Sequence, residues 1–387
     1  MKLDPGLVER IRRRLADDRE QPDLRRLAAA LRAEALVPIG DEELLRYLPE
    51  LQSELVGAGP LEVLLRDPRT TDVLVNGPDE VWVDQGEGLR RTTVRFADTD
   101  SLRRLASRLA AAGGRRLDDA QPWVDVRLPG GNRLHAVLAP VATTGPYLSL
   151  RVFRPRAFSL AELTAAGSVD AAGARLLTAV VAARLAFLVT GGTGSGKTTL
   201  LGTLLGSVSA SERIIIVEDS GELRPAHPHV IGLEARTPNV EGAGAVSLRD
   251  LVRQALRMRP DRLVVGEVRG AEVVELLAAL NTGHDGGAGT VHANSASDVP
   301  ARLEALAALG GMSADALHSQ LLAAVQCVVH LRRSGVRRVV EEVAVLHRTG
   351  SRAELVPAWR RGAASAAGAP ILRELLATRG ADPNIVP

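Results

Sequence analysis

Lysine is nearly missing from this 387-residue chain: of its 48 basic residues, all but Lys2 and Lys197 are arginine. Cysteine occurs once, at Cys327. No intrachain disulfide and no multi-cysteine zinc site can be built, so the fold must rest on its core, and a reducing cytoplasm is the expected home. Aromatic residues number only 3 Trp, 2 Tyr and 4 Phe, too few for the base-stacking platform of single-strand nucleic-acid binders. An excess of one charge sign is also lacking. The formal net charge is +2, which leaves no broad cationic field and no electrostatic case for direct nucleic-acid binding. Long apolar runs are absent too. The best candidates, Ala179–Val189 and Leu321–Leu331, are interrupted by Arg184 or ended by Arg332 and Arg333, and both fall short of the ~18 residues a membrane helix needs. The opening MKLDPGLVERIRRRL carries charges where a signal peptide is apolar.

What is present is globular composition, 45% hydrophobic and 24% charged. The length predicts two or three compact units of about 100–200 residues each. Residues 1–56 read as short amphipathic helices, with Leu7, Ile11 and Leu15 at helical spacing. From 57 to 153 the pattern is that of a smaller α+β domain: strand-like runs at Thr71–Val75 and Glu80–Asp84 around an Asn-Gly-Pro turn, a helix near 100–112, and strands at Trp123–Leu128, Arg133–Leu138 and Tyr147–Phe153. The prolines and arginines of 154–158 predict a linker. Over 159–347 helices alternate with short β-branched runs at Ala186–Thr190, Ile214–Val217, Leu263–Val265 and Gly289–His292, the pattern of an α/β fold with a parallel, doubly wound sheet. An antiparallel addition is expected at Val325–Leu331 and Val336–His347, turned at Ser334-Gly335. Residues 348–387 read as one helix and a tail.

Gly191, Gly192, Thr193, Gly194, Ser195, Gly196, Lys197 and Thr198, followed by Thr199, match G-x-x-x-x-G-K-[ST] between a predicted strand and a predicted helix, the context that motif requires. Such a loop wraps its amides around nucleotide phosphates at a helix N-terminus. Lys197 is expected to reach the terminal phosphates, and the Thr198 hydroxyl to ligate magnesium. An arginine-rich chain has kept its one internal lysine where a planar guanidinium would not fit. Hydrolysis also needs acids. Glu218, Asp219 and Glu222 follow one predicted strand and Glu267 another, so both sets are expected to face the loop, hold the metal and orient the attacking water. His284 and His292 flank the next strand as candidates for sensing the γ-phosphate.

These motifs together resemble the secretion ATPases of the type II/type IV superfamily, and within it the tight-adherence (Flp) pilus assembly and conjugal-transfer-associated ATPases. Four signatures match: the Walker A loop at 191–198, an Asp box at Glu218-Asp219-Ser220-Gly221-Glu222, an atypical Walker B ending Gly266-Glu267-Val268-Arg269-Gly270, and a His box from Thr282 to Asn294. Similarity extends over roughly 59–347. The resemblance implies a RecA-like ATPase domain behind a smaller lobe, ATP and Mg2+ as cofactors with Thr198 and Glu267 at the metal, and a homo-hexamer. It also implies inner-membrane platform proteins of a pilus or secretion machine as partners, at the cytoplasmic face. Arginines of the N-terminal lobe approach the phosphates in such enzymes, which makes Arg127, Arg133 and Arg151 candidates. The four-cysteine zinc element common in the type II branch cannot exist here. The leading reading is a motor for pilus assembly or secretion. Alternatives are a conjugative type IV secretion ATPase, a RecA-like nucleic-acid translocase, and a nucleotide-binding regulator without turnover.

Overall fold

The computed structural model describes residues 5–15, 23–153, 157–236, 238, 243–335 and 337–387. The chain divides into two compact units, Met1–Arg154 and Pro155–Pro387. Residues 154–156 of the expected linker lie outside the described residues.

The first unit opens with α1 (Pro5–Leu15), α2 (Leu24–Glu34) and α3 (Asp41–Leu55). Their apolar stripes meet in a small core containing Ile11, Leu27, Leu31 and Leu51. Asp23 starts α2 by accepting from the Arg26 amide, the usual way a short acid satisfies a helix's first free N–H groups. A short α4 (Glu62–Arg66) leads to β1 (Asp72–Val75), β2 (Val81–Asp84) and β3 (Leu89–Arg91), then α5 (Thr99–Ala112), β4 (Trp123–Arg127), β5 (Arg133–Val137) and β6 (Tyr147–Arg151). The strands form one antiparallel sheet, ordered β3-β2-β1-β6-β5-β4. Burial alternates along β1, β2, β4, β5 and β6, as it must when one face packs on a helix and the other faces water. Leu102, Leu105 and Leu109 of α5 fill the covered face with Val73, Val83, Leu134 and Leu150.

The second unit carries α6 (Leu160–Ala165), α7 (Ala171–Ala182), β7 (Phe187–Gly191), α8 (Lys197–Gly206), β8 (Ile214–Glu218), β9 (Val230–Glu234), α9 (Leu248–Ala255), β10 (Arg262–Val268), α10 (Val273–Leu280), β11 (Ala288–Val291), α11 (Val299–Leu309), α12 (Ala314–Ala324), β12 (Cys327–Ser334), β13 (Arg337–Thr349), β14 (Arg352–Arg360) and α13 (Ala369–Thr378). Its sheet is ordered β14-β13-β12-β7-β11-β10-β8-β9, parallel from β12 to β9 and antiparallel over β13 and β14. Strands β7, β8 and β11 are buried at every position because helices cover both faces. One face packs on α7, α8 and α13, the other on α9 to α12. The fold is therefore the expected doubly wound sheet with an antiparallel addition.

Three strands, β3, β9 and β14, go beyond the sequence expectation. For β14 the reason is Pro357, which lacks the N–H a ladder needs and argues against a central strand. The structure puts β14 at the sheet edge, with Pro357 opposite Ala344 where the register shifts. The helix expected within 348–387 is α13, but the segment is not a loose tail. Leu372, Leu376 and Val386 belong to the same core as Leu176 and Leu201, so the segment completes one face of the sheet. Leu372→Ala should cost about 2–5 kcal/mol and lower the unfolding midpoint by roughly 5–15 °C. Calorimetry on the full chain checks it; a wild-type midpoint would mean that the segment does not share the core.

Candidate functional site

Strand β7 ends at Gly191 and α8 starts at Lys197, so the glycine-rich loop sits at the carboxyl end of a central parallel strand, where ligands bind in such sheets. Gly196 caps α8 with φ +93°, a left-handed conformation that side chains resist. Lys197 is 7% exposed. Its Nζ donates to the carbonyls of Gly191 and Gly192, both at 3.0 Å, and lies 3.4 Å from His292 Nδ1. Burial lowers its pKa, and the charge of Glu267 opposes that shift. The ammonium is thus solvated by backbone oxygens that phosphate oxygens can replace.

An ammonium only donates, so His292 Nδ1 must accept and the ring proton resides on Nε2. That nitrogen is 3.4 Å from Glu267 Oε1. Burial first, then the Lys197 charge, lowers the His292 pKa against the pull of Glu267, which favours the neutral ring this chain of contacts requires. Lys197 opens α8 beyond the end of β7, His292 directly follows β11 and Glu267 lies near the end of β10, and β7, β11 and β10 are adjacent strands.

Glu267 owes its aim to an irregularity. The β10–β11 register shifts between Val265 and Val268, and Thr290 Oγ1 donates to the Gly266 carbonyl there at 2.7 Å. Such bulges re-aim a side chain. Glycine is required at 266 because a β-carbon would stand 2.5 Å from Glu218 Cγ.

Glu218 departs from the expectation that it faces the loop. It is buried, and its carboxylate accepts from the amides of Glu222 and Leu223 at 3.1 and 3.0 Å, folding the acidic loop back on its own strand. Asp219 pairs with Arg269 of the segment after β10. Glu222 is half-buried, its own amide being one of the two donors to Glu218. Glu272 holds the other end of that segment by accepting from the amides of Arg269 and Gly270. Neither Arg269 nor Glu272 was signalled by the sequence except through proximity to the Walker B acid.

His284 is not brought to the loop. It precedes β11, at the opposite end from Lys197, with Nδ1 3.1 Å from the Ala279 carbonyl. Arg127, Arg133 and Arg151 belong to the first unit. They stand directly opposite one another on β4, β5 and β6, on the face not covered by α5. Arg133 makes a two-pronged pair with Asp125 at 2.7 and 2.6 Å, and Arg127 lies 5.8 Å from the Phe153 ring centre. One feature of the loop escaped the sequence reading. Arg338 of β13 donates from Nε to the Gly194 carbonyl at 2.8 Å; its only signal was the paired arginines on either side of Ser334-Gly335.

A glycine-rich loop before a helix, a lysine buried in it, and acid and histidine on the neighbouring strand ends define a RecA-like P-loop ATPase. Residues 54–367 match the family model described as type II/IV secretion system protein, and the chain belongs to that family. It is 60% identical over 348 residues to a putative conjugal transfer protein of Mycobacterium tuberculosis strain H37Rv, covering 88% of this chain and 99% of that one. It is also 35% identical over 302 residues to the type IV secretion system protein PtlH of Bordetella pertussis, covering 70% and 88%. Among solved structures, the pilus retraction motor PilT with bound ADP shares the fold at TM-score 0.52 and 21% identity, over 84% of this chain and 91% of that one. The chain is accordingly an ATPase of the type II/IV secretion family.

The buried Glu218 makes a pH prediction. Burial raises its pKa from 4.5 to about 7, outweighing the two amides that favour the ionised form. The folded chain binds this proton more tightly than the unfolded one, so its stabilisation is full below pH 4.5 and is lost as pH rises through about 7. Glu218→Gln keeps an acceptor oxygen and should flatten that decline. Thermal midpoints across the window test it, and a variant whose profile parallels wild type would exclude the assignment.

Proposed function

We propose that this chain is a hexameric motor that couples ATP hydrolysis to pilus assembly or secretion, working at the cytoplasmic face of the inner membrane through platform proteins. The single observation that carries the reading is the convergence of Lys197, His292 and Glu267 on three adjacent strand ends. In it the loop amides of Gly191 to Thr199 and the Lys197 ammonium bind the phosphates. Glu267 polarises the attacking water, and Glu222 of the acidic loop serves as a second acid. His292 links Glu267 to Lys197, so that the acid and the phosphate-binding cation are positioned together. Asp219 and Glu218 act by shaping the acidic loop.

Among the described residues no cluster of three or more His, Cys, Asp or Glu is set to hold a metal. That fits an ion carried mainly by nucleotide phosphates and water, with Thr198 and Glu267 as the chain's own contributions. Bound there, magnesium would neutralise phosphate charge and polarise the γ-phosphoryl group. No helix among the described residues is long and apolar enough to cross a membrane, in keeping with attachment through partners. A conjugative type IV secretion role is the second reading, favoured by the conjugal-transfer name of the Mycobacterium tuberculosis relative; the membrane proteins that co-purify with the chain separate the two.

Glu267→Gln should retain ATP binding but lose turnover by about 10²–10³-fold, the usual effect of removing one electrostatic contact to the reacting groups. Lys197→Arg should fail too, because the loop is sized for an ammonium. Equilibrium binding and steady-state rates for both decide it; loss of binding with Glu267→Gln would make that acid structural.

The arginine row gives the assembly test. Three arginines stand side by side there, one of them already paired with Asp125, and a row of guanidinium groups suits a phosphate. If they complete a phosphate site on assembly, Arg127→Ala, Arg133→Ala or Arg151→Ala should spare ATP binding while lowering turnover by about a thousandfold. A 159–387 fragment should bind ATP and hydrolyse it poorly. ATPase rate against protein concentration, with mass by light scattering, checks this. Equal turnover by a monomeric fragment would reduce the protein to a simple P-loop ATPase.

A further inference from the structure

The hairpin of β12 and β13 reaches over the flank of the phosphate loop away from the catalytic acid. Strand β7 has β11 and β10 on one side, bearing His292 and Glu267, and β12 on the other. From that other side Arg338 donates to the Gly194 carbonyl at 2.8 Å. Its stem lies against Gly196, where a β-carbon would be 3.3 Å from Arg338 Cδ. Arg333 is its direct cross-strand partner, and a β-carbon at Gly194 would come 3.8 Å from Arg333 Nη1. Two exposed guanidinium groups therefore face one another across the hairpin beside the loop.

Like charges directly opposite in a sheet are unfavourable, and nearby acids do not relieve this pair. Glu341 pairs with Arg332, and Glu342 with Arg360. Among the described residues Arg333 and Arg338 have no carboxylate partner; Arg333 donates only to the Gly335 carbonyl, at 3.1 Å. A backbone carbonyl is a poor partner for a guanidinium compared with a phosphate, which matches its fork.

We propose that Arg333 and Arg338 form a second wall of the nucleotide site and grip the α,β-diphosphate of a nucleoside di- or triphosphate from within the same chain. The inference rests on the phosphate-loop reading above. The position decides which phosphates: the γ-phosphate belongs to the flank with Glu267 and His292, while the arginines approach the half that leaves as the diphosphate. In hydrolysis water's oxygen bonds the γ-phosphorus and gives up a proton to solvent by way of Glu267, the bond to the bridging oxygen breaks, and the electron pair stays on the departing diphosphate. Two guanidinium groups there offset the charge that develops.

ADP isolates this contact because it lacks the γ-phosphate. With the full chain and ADP as probe, Arg338→Ala should weaken binding about tenfold, as expected for a lost hydrogen bond to a charged group, and Arg333→Ala/Arg338→Ala more. The KM for ATP should rise in parallel. Arg337→Ala, next on the hairpin but opposite Ser334, should leave ADP affinity unchanged. Salt separates a charge contact from a structural one: ADP affinity should fall with ionic strength more steeply for wild type than for the double variant. Arg338→Lys should recover part of the affinity. A double variant that melts like wild type and binds ADP within twofold of it, with the same salt slope, overturns the proposal. A wild-type chain that binds no ADP instead overturns the phosphate-loop reading on which it rests.

Discussion

One buried cation, Lys197, organises the phosphate-binding end of the second unit. Lys197 sits beyond the carboxyl end of β7 with two backbone carbonyls and one imidazole nitrogen for company and, among the described residues, no carboxylate in contact. A charge in such a place costs free energy unless it is solvated by dipoles, and the surroundings are built to supply them: a loop whose glycines turn carbonyls inward, and a histidine whose tautomer is set by the ammonium on one side and Glu267 on the other. The arrangement is poised for an anion, since phosphate oxygens are better partners than any the protein offers.

The acids at the site divide between chemistry and scaffold for reasons of burial. Glu267 is aimed outward by a bulge that needs a glycine, and that glycine is needed because the Glu218 side chain fills the space behind it. Glu218, taken out of water, satisfies its oxygens with amides of its own loop. At the other end of the sheet the fully buried Arg262 plays a corresponding role, held by Glu212 and by the carbonyls of Val181 and Gly286. Removing one partner from such a group leaves an uncompensated buried charge and is strongly destabilising. Polar groups therefore anchor both ends of β10, and only its carboxyl end offers a carboxylate to solvent.

Local patterns determined much of this from the sequence alone. The central strands were legible because each carries a short, mostly apolar run rich in β-branched residues, and the phosphate loop because glycine, lysine and threonine recur there at a spacing that few other structures need. The Walker B acid and the second histidine were legible for the same reason, as residues following buried strands. Edge strands were less so: β14 contains Pro357, a poor strand former that an edge tolerates and that a single sequence cannot place at an edge.

Tertiary structure alone decided which candidates meet. Glu218 and Glu267 read alike along the chain, yet one is turned inward and the other outward, because side-chain direction near a strand's end depends on register with its neighbours. His284 and His292 belong to one motif but lie at opposite ends of β11, and four residues of extended strand between them keep both from one site. Asp219 with Arg269, and Arg338 with Gly194, are 50 and 144 residues apart in sequence. Motif spacing records only what lies within one loop. Pairings between loops depend on the order in which parallel strands are laid side by side, and that order is set by helix packing on the two faces of the sheet.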